Sequence, residues 1–285
     1  MSLQLGARSL SLETPRIMAV LNVTPDSFSD GGTLWARGKV DVGAVVARAQ
    51  AMVAAGADLL DIGGESTRPG ATPVPAKLEA ERVLPVITAL EPLAVPLSID
   101  TCKPEVAEQA LAAGCVMVND VTGLQDPNMR QVVARSKAAA CIMHMRGSPR
   151  TMQNDPQYDD VVREVRCFFA EQIRACERAG LEPARLLLDP GFGFGKTLQH
   201  NLDLLRNLDE LRVHDLPLLV GLSRKSMLGK LTGREVDQRE VASAVVAALA
   251  VERGANMLRV HDVESTRDAV AIAKALASAT VGEEL

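Results

Sequence analysis

The sequence predicts an α/β protein built as a single (β/α)8 TIM barrel, with the active site at the C-terminal ends of the strands. Eight short apolar runs recur along the 285 residues, and a longer Ala-rich amphipathic stretch separates each run from the next. This alternation is typical of βαβ units. The runs are continuously apolar, as expected for parallel strands that are covered on both faces. Because such barrels commonly use about 250 residues as one unit, we expect residues 1–285 to form one domain.

The predicted strands and helices alternate in a regular order. The strands, in chain order, are Ile17–Leu21, Asp58–Ile62, Leu97–Ile99, Val116–Val118, Ala139–Met143, Leu186–Leu188, Pro217–Val220 and Met257–Val260. The first helix is predicted over Asp41–Ala55, where apolar residues recur at helical spacing, and it stops at Gly56. Similar stop signals stand at Gly114, Gly180 and Gly254.

The composition excludes several classes of protein. The net charge is -5, and Lys and Arg are spread among the acidic residues without a basic stripe, so we expect no nucleic-acid partner. The five cysteines form no C-x-x-C pair, which is typical of reduced thiols in a cytoplasmic protein. No stretch approaches the ~20 apolar residues of a membrane span, and the N-terminus lacks an apolar signal region, so we expect neither membrane contact nor secretion.

Polar residues gather directly after the predicted strands. An isolated Asp at such a place is more often the N-cap of the following helix. Asp100, Asn119 and Asp189 indicate more, because together they place two carboxylates and an amide at the mouth of the barrel. That arrangement is costly unless a ligand with matching donors fills it, and a flat heterocycle with an amino-pyrimidinone edge supplies such donors. Lys225 is predicted to add a charged donor, although a surface lysine capping a helix end is the alternative.

A second set of residues predicts an anion site. Arg259 and His261 lie two residues apart on the last strand and are expected to share a face. Asn22, Ser66 and Thr67 follow the first two strands, and barrel phosphate sites often use the last strands. For His261 alone, a helix cap or a buried hydrogen-bonded histidine remains an alternative.

Two glycine-containing segments superficially resemble nucleotide-binding loops. The glycines of Gly191–Lys196 fall at every second position, which does not match the G-x-G-x-x-G spacing. We expect this backbone to approach a ligand closely, with Phe194 as an aromatic wall. Gly229–Gly233 has no Gly-Lys-Ser/Thr, so an ATPase is not predicted.

Seven motifs at the strand ends resemble, in order and over nearly the whole chain, those of dihydropteroate synthases. They are N-V-T-P-D-S-F-S-D-G-G (Asn22–Gly32), D-I-G-G-E-S-T-R-P-G (Asp61–Gly70), I-D-T-x-K-P (Ile99–Pro104), N-D-V (Asn119–Val121), L-L-D-P-G-F-G-F-G-K (Leu187–Lys196), L-S-R-K-S (Leu222–Ser226) and R-V-H-D-V (Arg259–Val263). The resemblance implies a transferase of folate synthesis. Its substrates would be 6-hydroxymethyl-7,8-dihydropterin pyrophosphate and 4-aminobenzoate, and its products 7,8-dihydropteroate and pyrophosphate.

The resemblance also implies roles for individual residues. The pterin would be bound by Asp100, Asn119, Met143, Asp189 and Lys225. The pyrophosphate would be bound by Asn22, Thr67, Arg259 and His261. The aminobenzoate would be bound by Phe28, Arg68, Pro69, Phe194 and Ser226. Asn22 would also coordinate the Mg²⁺ that accompanies the pyrophosphate, and the family usually forms homodimers. The aminobenzoate site is where sulfonamides would compete.

Three other functions are compatible with a barrel of this kind. A related pterin-binding barrel transfers a methyl group from a methylated folate to a corrinoid, but it would not resemble this chain at the segments after the first two strands. A non-catalytic paralogue would not need the complete anion set. A barrel aldolase would need a Schiff-base lysine on a strand or a cluster of His and carboxylate metal ligands, and neither is evident in the sequence.

Overall fold

Eight parallel strands form a barrel within the described residues of this computed structural model, which are 1–24, 34–36, 39–66, 70–148 and 151–278. The barrel strands are β1 (Arg16–Asn22), β2 (Leu59–Gly63), β3 (Leu97–Asp100), β4 (Met117–Asp120), β5 (Ala139–Met143), β6 (Leu186–Asp189), β7 (Leu219–Val220) and β8 (Met257–Val260). Their order in the sheet is β6-β5-β4-β3-β2-β1-β8-β7. A parallel bridge between Leu188 and Leu218 connects the two outer strands and closes the ring. The predicted barrel is therefore confirmed.

Helices follow the strands and cover the outside of the barrel. Within the described residues they are α1 (Val42–Ala55), α2 (Ala76–Leu90), α3 (Pro104–Ala112), α4 (Pro127–Ser136), α5 (Val161–Arg178), α6 (Leu198–Arg206), α7 (Ser226–Thr232), α8 (Glu240–Glu252) and α9 (Val263–Ser278). Helix α1 begins one residue later than predicted because the Asp41 side chain caps it by accepting from the Ala44 N–H over 3.0 Å. It ends at Gly56, whose φ of 110° is left-handed. No helix in these ranges is long and apolar enough to cross a membrane.

Two layers of apolar side chains hold this arrangement together. The outward-facing residues of the strands pack against the helices, as Ile62 and Ile99 do. The inward-facing residues near the N-terminal ends of the strands form a separate cluster inside the barrel, which includes Met18, Leu59 and Met117. Period-two alternation separates the two layers, since neighbouring residues on a strand face opposite sides.

An antiparallel hairpin, Ser2–Leu5 paired with Arg8–Ser11, closes the N-terminal end of the barrel. Leu3, Leu5 and Leu12 are buried and join the apolar cluster inside the barrel. This hairpin was not predicted from the sequence. Its strands have four residues each, too few for the period-two pattern to stand out.

Candidate active site

A network of polar side chains fills the C-terminal end of the barrel interior. Asp61, Asp100 and Asn119 lie on β2, β3 and β4 and expose 0%, 7% and 3% of their surface. Arg259 on β8 donates from Nε to Asp61 Oδ2 and from Nη2 to Asp100 Oδ2, both over 2.6 Å. The amide of Asn119 donates to the same oxygen of Asp61 over 2.9 Å. The four side chains are therefore connected across the barrel by hydrogen bonds.

The strand register explains why these side chains meet. Asp100 is paired with Gly63 on one side and with Asn119 on the other, so the ends of three neighbouring strands lie at one level. Residues two apart on a strand face the same side, which directs Asp61 inward above Leu59. The C-terminal ends of parallel strands thus collect polar groups that are distant in sequence.

Three buried acceptors in this network have no hydrogen-bond partner among the described residues. They are Asp61 Oδ1, Asp100 Oδ1 and Asn119 Oδ1. A buried polar atom left without a partner costs about 1–3 kcal/mol. The arrangement is therefore suited to a ligand that presents several N–H donors, as the sequence analysis argued for Asp100 and Asn119.

Burial and charge set the protonation of the network. Burial raises the pKa of Asp100 to about 7, although the Arg259 guanidinium opposes the shift. Burial lowers the pKa of Arg259, but the neighbouring carboxylates of Asp61 and Asp100 outweigh it and raise that pKa above its ordinary value. Arg259 therefore stays positively charged, whereas Asp100 gains or loses its proton near neutral pH.

A second group of predicted residues lies around the end of β6. Asp189 accepts from the Gly191 N–H through Oδ1 over 2.7 Å, and burial raises its pKa while this hydrogen bond and Lys225 lower it. Met143 is paired with Asp189 in the sheet and is 4% exposed. The Lys225 ammonium lies 4.1 Å from the centroid of the Phe194 ring. The structure thus brings together the four predicted residues Met143, Asp189, Phe194 and Lys225.

The alternative roles considered for Lys225 and His261 can be compared with their positions. Lys225 occupies the N-cap position of α7, but its side chain makes no capping hydrogen bond and lies over Phe194 instead. His261 follows β8, and its Nδ1 lies 3.1 Å from Ser223 Oγ. Ser226 begins α7 beside Lys225 and is exposed.

Asn22 at the end of β1 fits the predicted role of a magnesium ligand. Its Oδ1 lies 2.9 Å from the point that a Cβ on Gly63 would occupy, and Asp100 Oδ2 lies 3.7 Å from that point. Gly63 therefore leaves a space lined by amide and carboxylate oxygens, the donors that Mg²⁺ prefers. Among the described residues, no three His, Cys, Asp or Glu side chains are placed to hold a metal ion. An ion here would take its other ligands from water and substrate phosphate, as Mg²⁺ usually does.

Four of the predicted site residues cannot be placed. Phe28, Thr67, Arg68 and Pro69 lie outside the described residues. Their predicted contacts with pyrophosphate and aminobenzoate therefore stay predictions.

One residue of the network, Asp61, was not among the site residues predicted from the sequence. Asp61 appeared there only as the first residue of a motif, because it lies inside the second strand rather than after it. A carboxylate in the middle of the apolar run Leu59–Ile62 was the available signal, since a fully buried Asp needs a partner.

The chain is similar to known proteins. A family model described as "Pterin binding enzyme" matches residues 18–261. The chain is 47% identical over 272 residues to a protein of Escherichia coli (strain K12) named dihydropteroate synthase, covering 95% of each chain.

The chain is also similar to solved structures. A Yersinia pestis dihydropteroate synthase with a sulfonamide drug complex superposes with a TM-score of 0.93 at 45% identity, covering 98% of this chain and 100% of that one. A Burkholderia cenocepacia dihydropteroate synthase complexed with 7,8-dihydropteroate superposes with a TM-score of 0.88 at 44% identity, covering 97% and 96%. These likenesses extend over nearly the whole length of each chain.

Proposed function

The chain belongs to the dihydropteroate synthase family of pterin-binding enzymes, and we propose from this premise how its barrel performs that transferase reaction. The substrates are 6-hydroxymethyl-7,8-dihydropterin pyrophosphate and 4-aminobenzoate, and the products are 7,8-dihydropteroate and pyrophosphate. The observation that carries the proposal is the set of buried acceptors on Asp61, Asp100 and Asn119 that have no partner within the described residues. The relative complexed with 7,8-dihydropteroate supports the assignment of the product.

The pterin ring occupies the mouth of the barrel in this proposal. Its N–H and amino groups donate to the buried oxygens of Asp100, Asn119 and Asp189, and Asp61 adds an acceptor that sequence analysis did not include. Met143 packs against the ring, and Lys225 donates to a ring nitrogen or carbonyl. Such pairing removes the cost of buried polar atoms without partners, so the site selects a heterocycle with this donor pattern.

The pyrophosphate group lies at the outer side of the same network. The two hydrogen bonds from Arg259 to the carboxylates use two of the five N–H groups of a guanidinium, so the others can donate to phosphate oxygens. His261, Asn22 and Thr67 complete the proposed site. Mg²⁺ held by Asn22 would neutralise negative charge on the pyrophosphate leaving group.

Substitution takes place at the exocyclic methylene carbon. Its bond to the pyrophosphate oxygen breaks, the arylamine nitrogen forms the new C–N bond, and the amine proton is lost to solvent. The carboxylates of Asp100 and Asp189 stabilise the positive charge that develops on the ring. The arylamine is already nucleophilic at neutral pH, so positioning supplies much of the rate and no protein nucleophile is required.

The aminobenzoate binds beside the pterin. Phe194 forms an aromatic wall that is held by the Lys225 ammonium. Phe28, Arg68 and Pro69 are proposed to shape the rest of the site, and the exposed hydroxyl of Ser226 to bind the carboxylate.

We further propose that the protein is a homodimer. Helix α8 exposes Val241, Val245 and Leu249 at a spacing of four residues, with exposed fractions of 75%, 56% and 38%. The neighbouring α9 exposes Ile272 and Leu276 by 69% and 64%. A contiguous apolar face of this kind is uncommon on a monomer and is suited to a second copy of the chain. Sedimentation should give a dimer that Val245→Glu dissociates, and a monomeric wild-type protein would contradict the proposal.

We propose a cytoplasmic location for the enzyme. Its five cysteines, Cys102, Cys115, Cys141, Cys167 and Cys176, are all unpaired in the structure. Unpaired thiols are typical of proteins in a reducing compartment.

The enzymatic proposal is tested by measuring pyrophosphate release and dihydropteroate formation. The purified protein receives the pterin pyrophosphate, Mg²⁺ and 4-aminobenzoate, and each is omitted in turn. We expect dihydropteroate only when all three are present. Pterin binding without product under the full conditions would instead indicate a non-catalytic paralogue.

A further inference from the structure

Lys196 is a buried lysine that the proposed reaction does not use. It ends the glycine-rich segment after β6 and exposes 3% of its surface. Its Nζ lies 3.0 Å from the carbonyl oxygens of Gly191 and Phe194 and 3.2 Å from that of His144. The Nδ1 atom of the His144 ring lies 3.0 Å away. A buried ammonium is costly unless its donors find acceptors, and here four atoms that can accept surround it.

Burial shifts the pKa of both Lys196 and His144 downward. Burial lowers the pKa of Lys196 to about 7, with Asp189 opposing the shift and Lys225 and Arg146 adding to it. Burial lowers the pKa of His144 to about 2, so its imidazole is neutral and can accept at Nδ1. Because these acceptors enclose the nitrogen, it is not placed to attack a carbonyl substrate.

The glycines before Lys196 let the segment lie directly on the backbone that follows β5. Gly191 and Gly195 have φ values of 65° and 63°, and a Cβ on either would collide with the carbonyl oxygen of His144 or Arg146. This backbone was predicted from the sequence to approach a ligand closely. Its close approach at these two glycines is to the neighbouring loop, and the Tyr158 hydroxyl adds a hydrogen bond to the Gly195 carbonyl over 2.9 Å.

The same segment carries two groups of the proposed site. The Gly191 N–H orients the Asp189 carboxylate, and the Phe194 ring lies beneath Lys225. The Lys196 ammonium reaches the carbonyl oxygens of both Gly191 and Phe194. One buried amine is therefore connected to Gly191, which orients the Asp189 carboxylate, and to Phe194, which is proposed to form the wall of the aminobenzoate site.

We propose that Lys196 is a positioning residue that holds the Gly191–Phe194 backbone against His144, and so sets Asp189 and Phe194 for the two substrates. It acts through this backbone and contacts neither substrate. The inference rests on the proposed function, because that function assigns Asp189 to the pterin and Phe194 to the aminobenzoate.

The test replaces Lys196 with Met, which has a similar length and no charge. We expect Lys196→Met to raise the dissociation constant of the pterin pyrophosphate, measured by titration calorimetry with Mg²⁺, by at least about tenfold, which corresponds to about 1.4 kcal/mol. The KM for 4-aminobenzoate should rise as well, because Phe194 is no longer fixed. A folded Lys196→Met protein with both constants equal to those of the wild-type enzyme would overturn the proposal.

Arg185 provides a matched control at the other end of the barrel. It is also a buried cation that donates to backbone carbonyls, those of Val133 and Ala138, over 2.5–2.8 Å. Arg185→Met and Lys196→Met should both lower the melting temperature, but Arg185→Met should leave both constants unchanged. Equal changes in the two variants would assign Lys196 a purely structural role and so contradict the proposal.

A milder variant keeps the test decisive if Lys196→Met does not fold. Tyr158→Phe removes only the hydroxyl that bonds to the Gly195 carbonyl of the same segment. We expect the KM for 4-aminobenzoate to rise about threefold to fivefold, as loss of one hydrogen bond of ~1 kcal/mol predicts. An unchanged KM would then count against the proposal. A wild-type enzyme that forms no dihydropteroate would refute the proposed function itself, which is a different outcome from an unaffected variant.

Discussion

Two layers of side chains line the interior of the barrel, and on four of the strands they lie only two residues apart. Near the N-terminal ends, Leu59, Met117, Leu187 and Met257 belong to one apolar cluster. Two residues further along the same strands, the inward positions carry Asp61, Asn119, Asp189 and Arg259. The first layer buries apolar surface and stabilises the fold, whereas the second contains buried polar atoms that lack partners among the described residues. The residues that stabilise the fold and the residues proposed to bind the ligand thus lie at different levels along the axis of one barrel.

Among the variants that have a matched control, the largest expected effect comes from breaking the polar layer at Asp61. Asp61→Ala leaves Arg259 without one of its two carboxylates, and removing one partner of a buried ion pair costs about 3–5 kcal/mol. We expect the affinity for the pterin pyrophosphate to fall by roughly a hundredfold or more, because the network no longer fixes Asn119 and Arg259. Titration calorimetry measures this affinity.

The residue just before β2 offers a matched control for Asp61. Asp58 also pairs with an arginine, Arg16, over 3.0 Å, but at the N-terminal end of the barrel and with both side chains about a quarter exposed. Asp58→Ala should cost about 1 kcal/mol of stability and leave the affinity unchanged. A comparable loss of affinity in both variants would show that the level of a residue along the barrel axis does not decide whether it stabilises the fold or supports binding.

The second expected effect is a pH dependence of pterin binding. Asp100 must be ionised to accept donors with both oxygens, and burial raises its pKa to about 7 in the empty site. Below that pH the proton must leave before the ligand binds, so the dissociation constant should rise by up to about tenfold per pH unit. Asp100→Asn should bind more weakly above pH 7 and lose most of this dependence. A wild-type affinity that is constant from about pH 8 to pH 5 would contradict the prediction.

The apolar layer gives the opposite pattern. Met117 is fully buried, and Met117→Ala should lower the free energy of unfolding by about 2–5 kcal/mol through lost burial and a cavity. The affinity for the pterin pyrophosphate should stay at the wild-type value, because Asn119 keeps its position on the same strand. Chemical denaturation and calorimetry on one preparation compare the two quantities, and an affinity that falls with stability would contradict the separation.

The smallest expected effect lies at His261. Ser223→Ala removes the hydroxyl that contacts His261 Nδ1 over 3.1 Å and accepts from its backbone N–H over 3.2 Å. We expect the KM for the pterin pyrophosphate to rise about fivefold, as loss of ~1 kcal/mol of orientation predicts. An unchanged KM would indicate that Ser223 does not orient the histidine for the pyrophosphate.

The barrel could be predicted because its strands are continuous apolar runs separated by amphipathic helices. Residues at or just beyond a predicted strand end, such as Asp100, Asn119 and Asp189, could be assigned to the mouth for the same reason. Asp61 was not predicted as a site residue because its strand continues beyond it. Its inward direction depends on the strand register, which no local sequence pattern reveals. The role proposed for Lys196 could not be predicted because its four acceptors come from two loops, and a sequence does not show which loops are in contact.

Titration of the Asp189→Ala variant with the pterin pyrophosphate in the presence of Mg²⁺ tests most directly whether the buried acceptors at the mouth of the barrel bind the pterin. Asp189 is 4% exposed and is oriented by the Gly191 N–H, so its loss removes a fixed carboxylate from the proposed pterin edge. We predict no measurable binding by a variant that retains the wild-type circular dichroism spectrum. Unaltered binding would contradict the assignment of this site.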